Sequence, residues 1–215
     1  MLRTDHGLWA VADGMGGHEA GDVASRKVAE ALARLPNGQS LGDLTDSAIA
    51  ALGEVNGELI RLARSEHRPR TIGSTVVGLA IRDGQYRCFW AGDSRAYRVR
   101  GNDIDQVTRD HSLVQGLMDA GMLSREEAKD HPDANVITRA VGASEALEVE
   151  VAAGDARSGD LFLLASDGLT RLVEEDELVA ILSSWPPADA ADTLIDAVLA
   201  RGAPDNVSLI ITRVV

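Results

Sequence analysis

Four aspartates in this chain lie at the ends of apolar runs that are typical of β-strands. Asp13 follows LWAVA, Asp93 follows CFWAG, Asp167 follows LFLLAS, and Asp205 precedes VSLIIT. In an antiparallel sheet the end of one strand and the start of its neighbour share an edge, so these side chains can meet. Crowded carboxylates repel one another unless cations neutralise them. The pattern therefore predicts a site for Mg²⁺ or Mn²⁺, of the kind that activates water for hydrolysis.

Composition limits the classes of protein to which the chain can belong. Its 215 residues, 45% hydrophobic and 26% charged, suffice for one globular domain with a sizeable core. The net charge of −13 argues against a nucleic-acid partner, because such binding relies on clustered Lys and Arg. No apolar run is long enough to span a bilayer and no signal peptide precedes the first strand, so we expect a cytoplasmic protein without a membrane partner. The single Cys88, inside an apolar strand run, is interpreted as a core thiol.

Two helices are predicted in the first third of the chain. EAGDVASRKVAEALARL has helical spacing, and its apolar stripe comprises Val23, Val28, Ala31, Leu32 and Leu35. A second helix is predicted from Leu44 to Ser65, and Arg68 to Arg70 around Pro69 break its pattern.

Strand patterns dominate the middle of the chain. STVVGLAI and QYRCFWAG flank the pair Asp83–Gly84, a strong hairpin signal. Further strands are predicted for RAYRVR, IDQVT, VITRAV, LEVEVAA, LFLLAS and VSLIITRVV. A compact helical insertion is expected from about 110 to 142, where Ser124 and Glu127 match a capping box. Two helices follow, at about 174–183 and 188–201.

Hairpins in succession, with helices gathered before and after them, favour an α+β fold over a parallel sheet. The strand candidates are too many for one sheet covered by so few helices. We therefore predict a four-layer sandwich in which two stacked antiparallel β-sheets are flanked by helices. One domain covering residues 1–215, with a small helical flap at about 110–142, is the economical arrangement.

Each aspartate motif alone has a simpler structural explanation. DGMGGH can be a tight turn. It does not match a dinucleotide-binding loop, because Glu19 stands where that loop needs its third glycine. GDSR can hold a salt bridge between Asp93 and Arg95, and PDN can be an exposed turn. The order of all four motifs along one chain makes these separate explanations less economical.

In that order, the chain resembles the metal-dependent serine/threonine protein phosphatases of the PPM, or type 2C, family, and its bacterial branch in particular. The matching segments are WAVADGMGGHEAGDVAS, GSTVV, WAGDSRAYRVR, TRDHSL, ITRAVG, FLLASDGL and APDNVSLI. The resemblance implies that the 110–142 insertion is a flap associated with substrate choice. It also implies that the partners are proteins phosphorylated by a serine/threonine kinase.

The resemblance further implies a set of metal ligands. Asp13 would bridge two tightly bound Mg²⁺ or Mn²⁺ ions, with an oxygen from the carbonyl of Gly14. Asp167 and Asp205 would complete the shell of the first ion, and Asp93 with Asp167 would hold a third, weaker ion. A water bridging the two tight ions would attack phosphorus, so that no protein nucleophile is required.

Two departures from the family pattern stand out. Where eukaryotic members carry a histidine proposed as general acid, this chain has Met15; His18 is a nearby candidate, although a histidine at a helix start is more often a capping or surface residue. The family's first strand, with a phosphate-binding arginine and an acidic pair, would precede Met1, because Arg3 and Asp5 are too close to Asp13. We therefore expect this strand to be missing and the reading frame to be longer, which leaves the phosphate-binding residue unknown.

Three functions remain open from the sequence. The first is a Mg²⁺/Mn²⁺-dependent phosphatase acting on phosphoserine and phosphothreonine, which the four aspartates favour. The second is a catalytically weak or inactive module that binds phosphoproteins, which the missing strand favours. The third, a hydrolase of small phosphoesters, differs only in its substrate.

Overall fold

The computed structural model describes residues 1–65 and 71–215, and the side chains of Asp5 and His18 are not described. The strands are β1 (Leu2–Arg3), β2 (Leu8–Val11), β3 (Gly14–Met15), β4 (Gly73–Ser74), β5 (Val76–Arg82), β6 (Gln85–Ala91), β7 (Arg95–Arg100), β8 (Asp103–Gln106), β9 (Glu150–Asp155), β10 (Leu161–Ala165) and β11 (Leu209–Arg213). The helices are α1 (His18–Ala33), α2 (Leu41–Ser65), α3 (Leu113–Asp119), α4 (Arg125–Lys129), α5 (Asp167–Thr170), α6 (Glu175–Ser184) and α7 (Pro187–Ala200). A short 3₁₀ turn covers Thr4–His6.

The strands form two main antiparallel sheets. The first has the order β1-β2-β5-β6-β9 and the second the order β11-β10-β7-β8. The short strands β3 and β4 pair separately, with Gly14 opposite Ser74. Because β2 and β6 both run antiparallel to β5, which lies between them, their carboxyl ends meet at one edge of the first sheet.

Three apolar clusters separate the layers. One lies between the first sheet and helices α1 and α2, one between the two sheets, and one between the second sheet and helices α5 to α7. Strand β10 shows how alternation builds them: Leu161, Leu163 and Ala165 face the helices, whereas Phe162 and Leu164 face the other sheet. Both faces of β10 are covered, which explains why the run LFLLA is apolar throughout.

These layers confirm the predicted α+β sandwich of two antiparallel sheets flanked by helices. The hairpin forms at Asp83 and Gly84, whose φ angles of 51° and 71° suit a tight turn. The capping box forms as well, since the Ser124 hydroxyl accepts from the Glu127 amide and the Glu127 carboxylate accepts from the Ser124 amide. None of the described helices has both the length and the apolar character needed to cross a bilayer.

Two local predictions are wrong. VITRAV is not a strand, because only isolated bridges form there, from Ile137 to Ser112 and from Val141 to Ser74. Val23 is exposed rather than part of the buried stripe of α1, where Ala20 and Ala24 take the buried positions. Small residues are needed on that side because the helix approaches β3 closely; a Cβ on Gly14 would lie 2.1 Å from the carbonyl oxygen of Gly21. The predicted break at 68–70 lies outside the described residues.

A buried amide joins helix α2 to the strands near Asp13. Oδ1 of the Asn56 side chain accepts a hydrogen bond from the backbone amide of Gly142 at 2.6 Å, and Nδ2 donates to the backbone carbonyl of Ser144 at 2.9 Å. Next to Gly142, the amide of Val141 donates to the carbonyl of Ser74 at 2.9 Å. Helix α2 thereby fixes the position of the loop that pairs with β4.

Replacing Asn56 should test this connection. In the Asn56→Ala variant the buried amide of Gly142 loses its acceptor, so we expect the free energy of unfolding to fall by about 1–3 kcal/mol. Urea denaturation followed by circular dichroism measures the change. Glu54→Ala, at an exposed position of the same helix, is the matched control and should change stability by less than about 0.5 kcal/mol. Equal stability of the two variants would show that Asn56 does not anchor the loop.

Candidate metal centre

The fold brings the four predicted aspartates to the same end of both sheets. Asp13 and Asp93 follow β2 and β6, whose carboxyl ends share an edge. Asp167 follows β10, and Asp205 precedes β11, which is the antiparallel neighbour of β10 with Ala165 opposite Leu209. The sandwich therefore places two aspartates from each sheet at one end of the layered core.

Asp13 and Asp167 form the centre of this group. The two carboxyl groups are within hydrogen-bonding reach of each other. Burial, followed by the negative charges of Asp167, Asp205 and Asp93, raises the pKa of Asp13 to about 7. The turns that carry Asp167 and Asp205 also pack tightly, since a Cβ on Gly168 would lie 2.2 Å from the carbonyl oxygen of Asn206. Only glycine fits at position 168.

Asp93 is the most buried member of the group, with 6% of its surface exposed. Burial, together with the charges of Asp167 and Asp110, raises its pKa to about 7. Its cationic neighbour is Arg171, whose Nη2 lies 3.7 Å from Asp93 Oδ2 and 2.8 Å from Asp167 Oδ2. The simpler explanation of GDSR as a salt bridge between Asp93 and Arg95 is wrong, because Arg95 pairs with Asp110 at 2.7 Å.

Asp205 and Gly14 lie at the rim. Asp205 is exposed, and its Oδ1 accepts from the amide of Asn206 at 2.7 Å, as in the exposed turn considered for PDN. Its charge still acts on Asp13. Gly14 is exposed in β3, next to Asp13.

The unsatisfied atoms of these acids indicate whether they suit a divalent cation. No group of three or more His, Cys, Asp or Glu side chains is arranged to hold a metal ion within residues 1–65 and 71–215. Asp167 Oδ1 is nevertheless buried without a hydrogen-bond partner among the described residues, and the carboxyl group to which it belongs adjoins that of Asp13. A buried carboxylate oxygen that lacks a donor is costly, and a hard cation would relieve both the missing contact and the repulsion. The chemistry of the acids thus fits Mg²⁺ or Mn²⁺, with Asp205 still turned toward its own loop.

Residues that the sequence did not single out fix the backbone of Asp13. The Asp13 amide donates to Thr75 Oγ1 at 3.2 Å, and its carbonyl accepts from the amide of Thr75 at 2.8 Å and from Ser74 Oγ at 3.0 Å. Thr75 Oγ1 also shares a hydrogen bond of 2.7 Å with Ser94 Oγ, directly beside Asp93. This network joins the turns of Asp13 and Asp93. The motif GSTVV contains these residues, but only the tertiary fold shows their partners.

A histidine positions the turn that carries Asp93. His111 Nδ1 accepts from the amide of Gly92 at 3.2 Å, and the ring stacks on Trp90 with 6.0 Å between ring centres. The acceptor role of Nδ1 places the proton of the neutral ring on Nε2, which lies 3.3 Å from Glu150 Oε1. Burial lowers the pKa of His111. His111 is therefore a structural support of the site.

The 110–142 insertion forms one wall of a cavity beside the aspartates. The cavity has a volume of about 510 Å³, and its lining includes Asp93, Asp167, Arg171 and Asn135. Arg171 donates to Asn135 Oδ1, so this arginine joins the acids to the insertion. Sequence reasoning missed Arg171, although its spacing of four residues from Asp167 is a recognisable signal for a helical ion pair.

The remaining candidates have simpler positions. His18 is the first residue of α1, and its side chain is not among those that the structure describes. Arg3 is bound to the carbonyl of Leu35 at 2.6 Å and to Asn37 Oδ1 at 3.0 Å, near the end of α1. Cys88 is fully buried in β6, where burial raises the pKa of its thiol, as expected for a core residue.

Known proteins are similar to this chain in both sequence and fold. The solved structure of PppA from Pseudomonas aeruginosa, described as a key regulatory component of T6SS, is 41% identical, covers 100% of this chain and 89% of that one, and has a TM-score of 0.90. The catalytic domain of PstP, solved in complex with 2 manganese ions, is 34% identical, covers 95% and 86% of the two chains, and has a TM-score of 0.82.

Sequence comparison gives the same relationship. The serine/threonine protein phosphatase PstP of Mycobacterium tuberculosis is 36% identical over 208 residues, or 97% of this chain. The chain spans 40% of the length of that relative. The model of the family Protein phosphatase 2C matches residues 2–200. The chain therefore belongs to the protein phosphatase 2C family, and its similarity is to bacterial members.

Proposed function

We propose that the protein is a Mg²⁺/Mn²⁺-dependent protein serine/threonine phosphatase. The observation that carries this proposal is the close approach of the Asp13 and Asp167 carboxyl groups at one end of the two sheets, where Asp167 Oδ1 is buried without a donor among the described residues. Its relatives support it, since they are named serine/threonine phosphatases and one was solved with two manganese ions.

Each aspartate then has a defined part. Asp13 and Asp167 would hold the tightly bound ions, with the Gly14 carbonyl and a reoriented Asp205 at the rim, and Asp93 with Asp167 would hold a weaker third ion. Two such ions supply an activated water and neutralise the oxygens of the phosphoryl group. The hydroxyl groups of Ser74 and Thr75, which are hydrogen-bonded to the backbone of Asp13, hold this residue against the repulsion of its neighbours.

We further propose that the protein acts in the cytoplasm and that its substrates are proteins phosphorylated by a serine/threonine kinase. The net charge of −13 supports a protein substrate over nucleic acid. The cavity of about 510 Å³ is large enough for side chains next to a phosphoresidue, which agrees with residues 110–142 acting as the flap of a single domain.

Two observations favour the second candidate, a phosphoprotein-binding module without turnover. Within the described part of the chain no three acids are arranged to hold a metal ion, and Arg171 already neutralises two of them. Turnover of a phosphothreonine peptide in Mn²⁺ separates the two functions. A phosphatase releases phosphate in Mn²⁺ and stops in EDTA, whereas a module binds the peptide without releasing phosphate.

Substitution of single acids should reveal their separate parts. We expect Asp13→Asn to lower kcat/KM by roughly 1,000-fold or more, because several kcal/mol of transition-state stabilisation would be lost. Asp93→Asn should lower it by roughly tenfold, since only the weaker ion is affected. Initial rates of phosphate release in Mn²⁺ measure both effects.

The exposed variant Asp103→Asn is the control for a loss of one negative charge and should have the wild-type rate. A rate for Asp13→Asn within about twofold of the wild type would remove the basis for the proposed site.

The hydroxyl of Thr75 should matter through Asp13. In Thr75→Val the shape of the side chain is kept, but the Asp13 amide and the Ser94 hydroxyl lose their partner. We expect the free energy of unfolding to fall by about 1–3 kcal/mol and the affinity for Mn²⁺ to fall with it. Thr75→Ser, which retains the hydroxyl, should keep the affinity. Calorimetric titration with Mn²⁺ distinguishes them, and equal affinities would show that this network does not position Asp13.

A further inference from the structure

The guanidinium of Arg171 lies between the acidic group and the 110–142 insertion. One of its nitrogens, Nη2, faces Asp167 at 2.8 Å and Asp93 at 3.7 Å. The other, Nη1, donates to Asn135 Oδ1. The side chain is 38% exposed and its backbone amide is bound to the carbonyl of Asp167 at 2.9 Å, so a short, fixed segment presents it to the cavity.

The other cationic side chains lining this cavity have different partners. Arg95 pairs with Asp110, Lys129 with Glu174, and Arg125 with Glu175. Among the described residues that line the cavity, Arg171 is therefore the cation that neutralises Asp93 and Asp167. Its planar fork can serve the acids and the Asn135 amide simultaneously, which a single ammonium group would not do.

Asn135 belongs to the part of the insertion that holds α3. The amide of Val136 donates to the carbonyl of Asp133 at 3.0 Å, and the Val136 carbonyl accepts from the amide of Leu113 at 2.9 Å. Asn135 is therefore adjacent to a residue that is hydrogen-bonded to the first residue of α3. The insertion and the acids are joined through one arginine.

We propose that Arg171 is an internal counter-ion that competes with a divalent cation for Asp93 and Asp167, and that its displacement releases residues 133–136 from the acids. Arg171 Nη2 already lies at Oδ2 of both Asp93 and Asp167, so a divalent cation that joins these two carboxylates would meet a like charge at the same place and displace it. Cation binding at this pair and the contact to Asn135 thus exclude each other. The inference rests on the proposed metal site and adds a coupling between that site and the flap.

Calorimetric titration with Mn²⁺ tests the competition. We expect Arg171→Gln to bind the weakest Mn²⁺ ion about tenfold more tightly than the wild type, which is typical of coupling between charged sites. Adding Asp93→Asn to Arg171→Gln should abolish this gain. Arg201→Gln is the matched control, because Arg201 is also 38% exposed and paired with a carboxylate, that of Glu177. It should bind Mn²⁺ as the wild type does.

Hydrogen exchange tests the coupling without any activity measurement. In metal-free protein, Arg171→Gln should raise the exchange rate of the Val136 amide, and saturating Mn²⁺ should do the same in the wild type but add nothing in the variant. Arg171→Lys keeps the charge but loses the fork, so it should retain the wild-type Mn²⁺ affinity while loosening Val136.

The outcomes separate this inference from the proposed function. Unchanged or weaker Mn²⁺ binding by Arg171→Gln, with the tight ions still bound, would overturn the role of Arg171 alone. Unchanged exchange at Val136 in all variants would overturn the coupling to the flap. Loss of every Mn²⁺ site, or a wild type that binds none and is indifferent to Asp13→Asn, would instead overturn the proposed metal centre.

Discussion

Repulsion among Asp13, Asp93 and Asp167 is the interaction around which this end of the molecule is organised. Three carboxylates occupy a place where burial raises the pKa of Asp13 and of Asp93 to about 7. Such an arrangement persists only if the surrounding structure holds it and a positive charge offsets it. The scaffold therefore holds the acids in place, and the positive charges offset their repulsion. Different residues supply the two.

The scaffold consists of hydrogen bonds to backbone groups, in a series that extends far from the acids. Asn56 on α2 holds Gly142, the neighbouring Val141 pairs with Ser74, and Ser74 holds the carbonyl of Asp13. Close glycine contacts add to this rigidity, because Gly168 packs directly against the carbonyl of Asn206. Fixing Asp13 through its amide and carbonyl leaves its carboxylate free for ligands.

Much of the fold could be predicted from the sequence because its signals are local. The Asp83–Gly84 turn, the capping box of α4 and the apolar alternation of β10 depend on neighbouring residues. The strand predicted at VITRAV does not form, because its backbone makes only two isolated bridges, to distant residues. Val23 departs from the predicted stripe because Ala20 and Ala24 take the buried positions in the first part of α1, beside the close contact between Gly14 and Gly21.

The candidate site likewise combines features that the sequence predicts with features that depend on distant residues. The four aspartates could be placed together because antiparallel neighbours share an edge, and the structure brings both pairs to one end. The partners of Thr75 and the contact between Arg171 and Asn135 could not be predicted, since they join segments that are far apart in the chain. The common location of the acids follows from topology, whereas their counter-charge follows from side-chain packing.

Anomalous diffraction from crystals grown in Mn²⁺ would test the central claim most directly. The account predicts Mn²⁺ peaks in contact with Asp13 and Asp167, with Asp205 turned from the amide of Asn206 toward the metal. Mn²⁺ found only at exposed carboxylates elsewhere, with Asp13 still in contact with Asp167 and Asp167 still paired with Arg171, would contradict it.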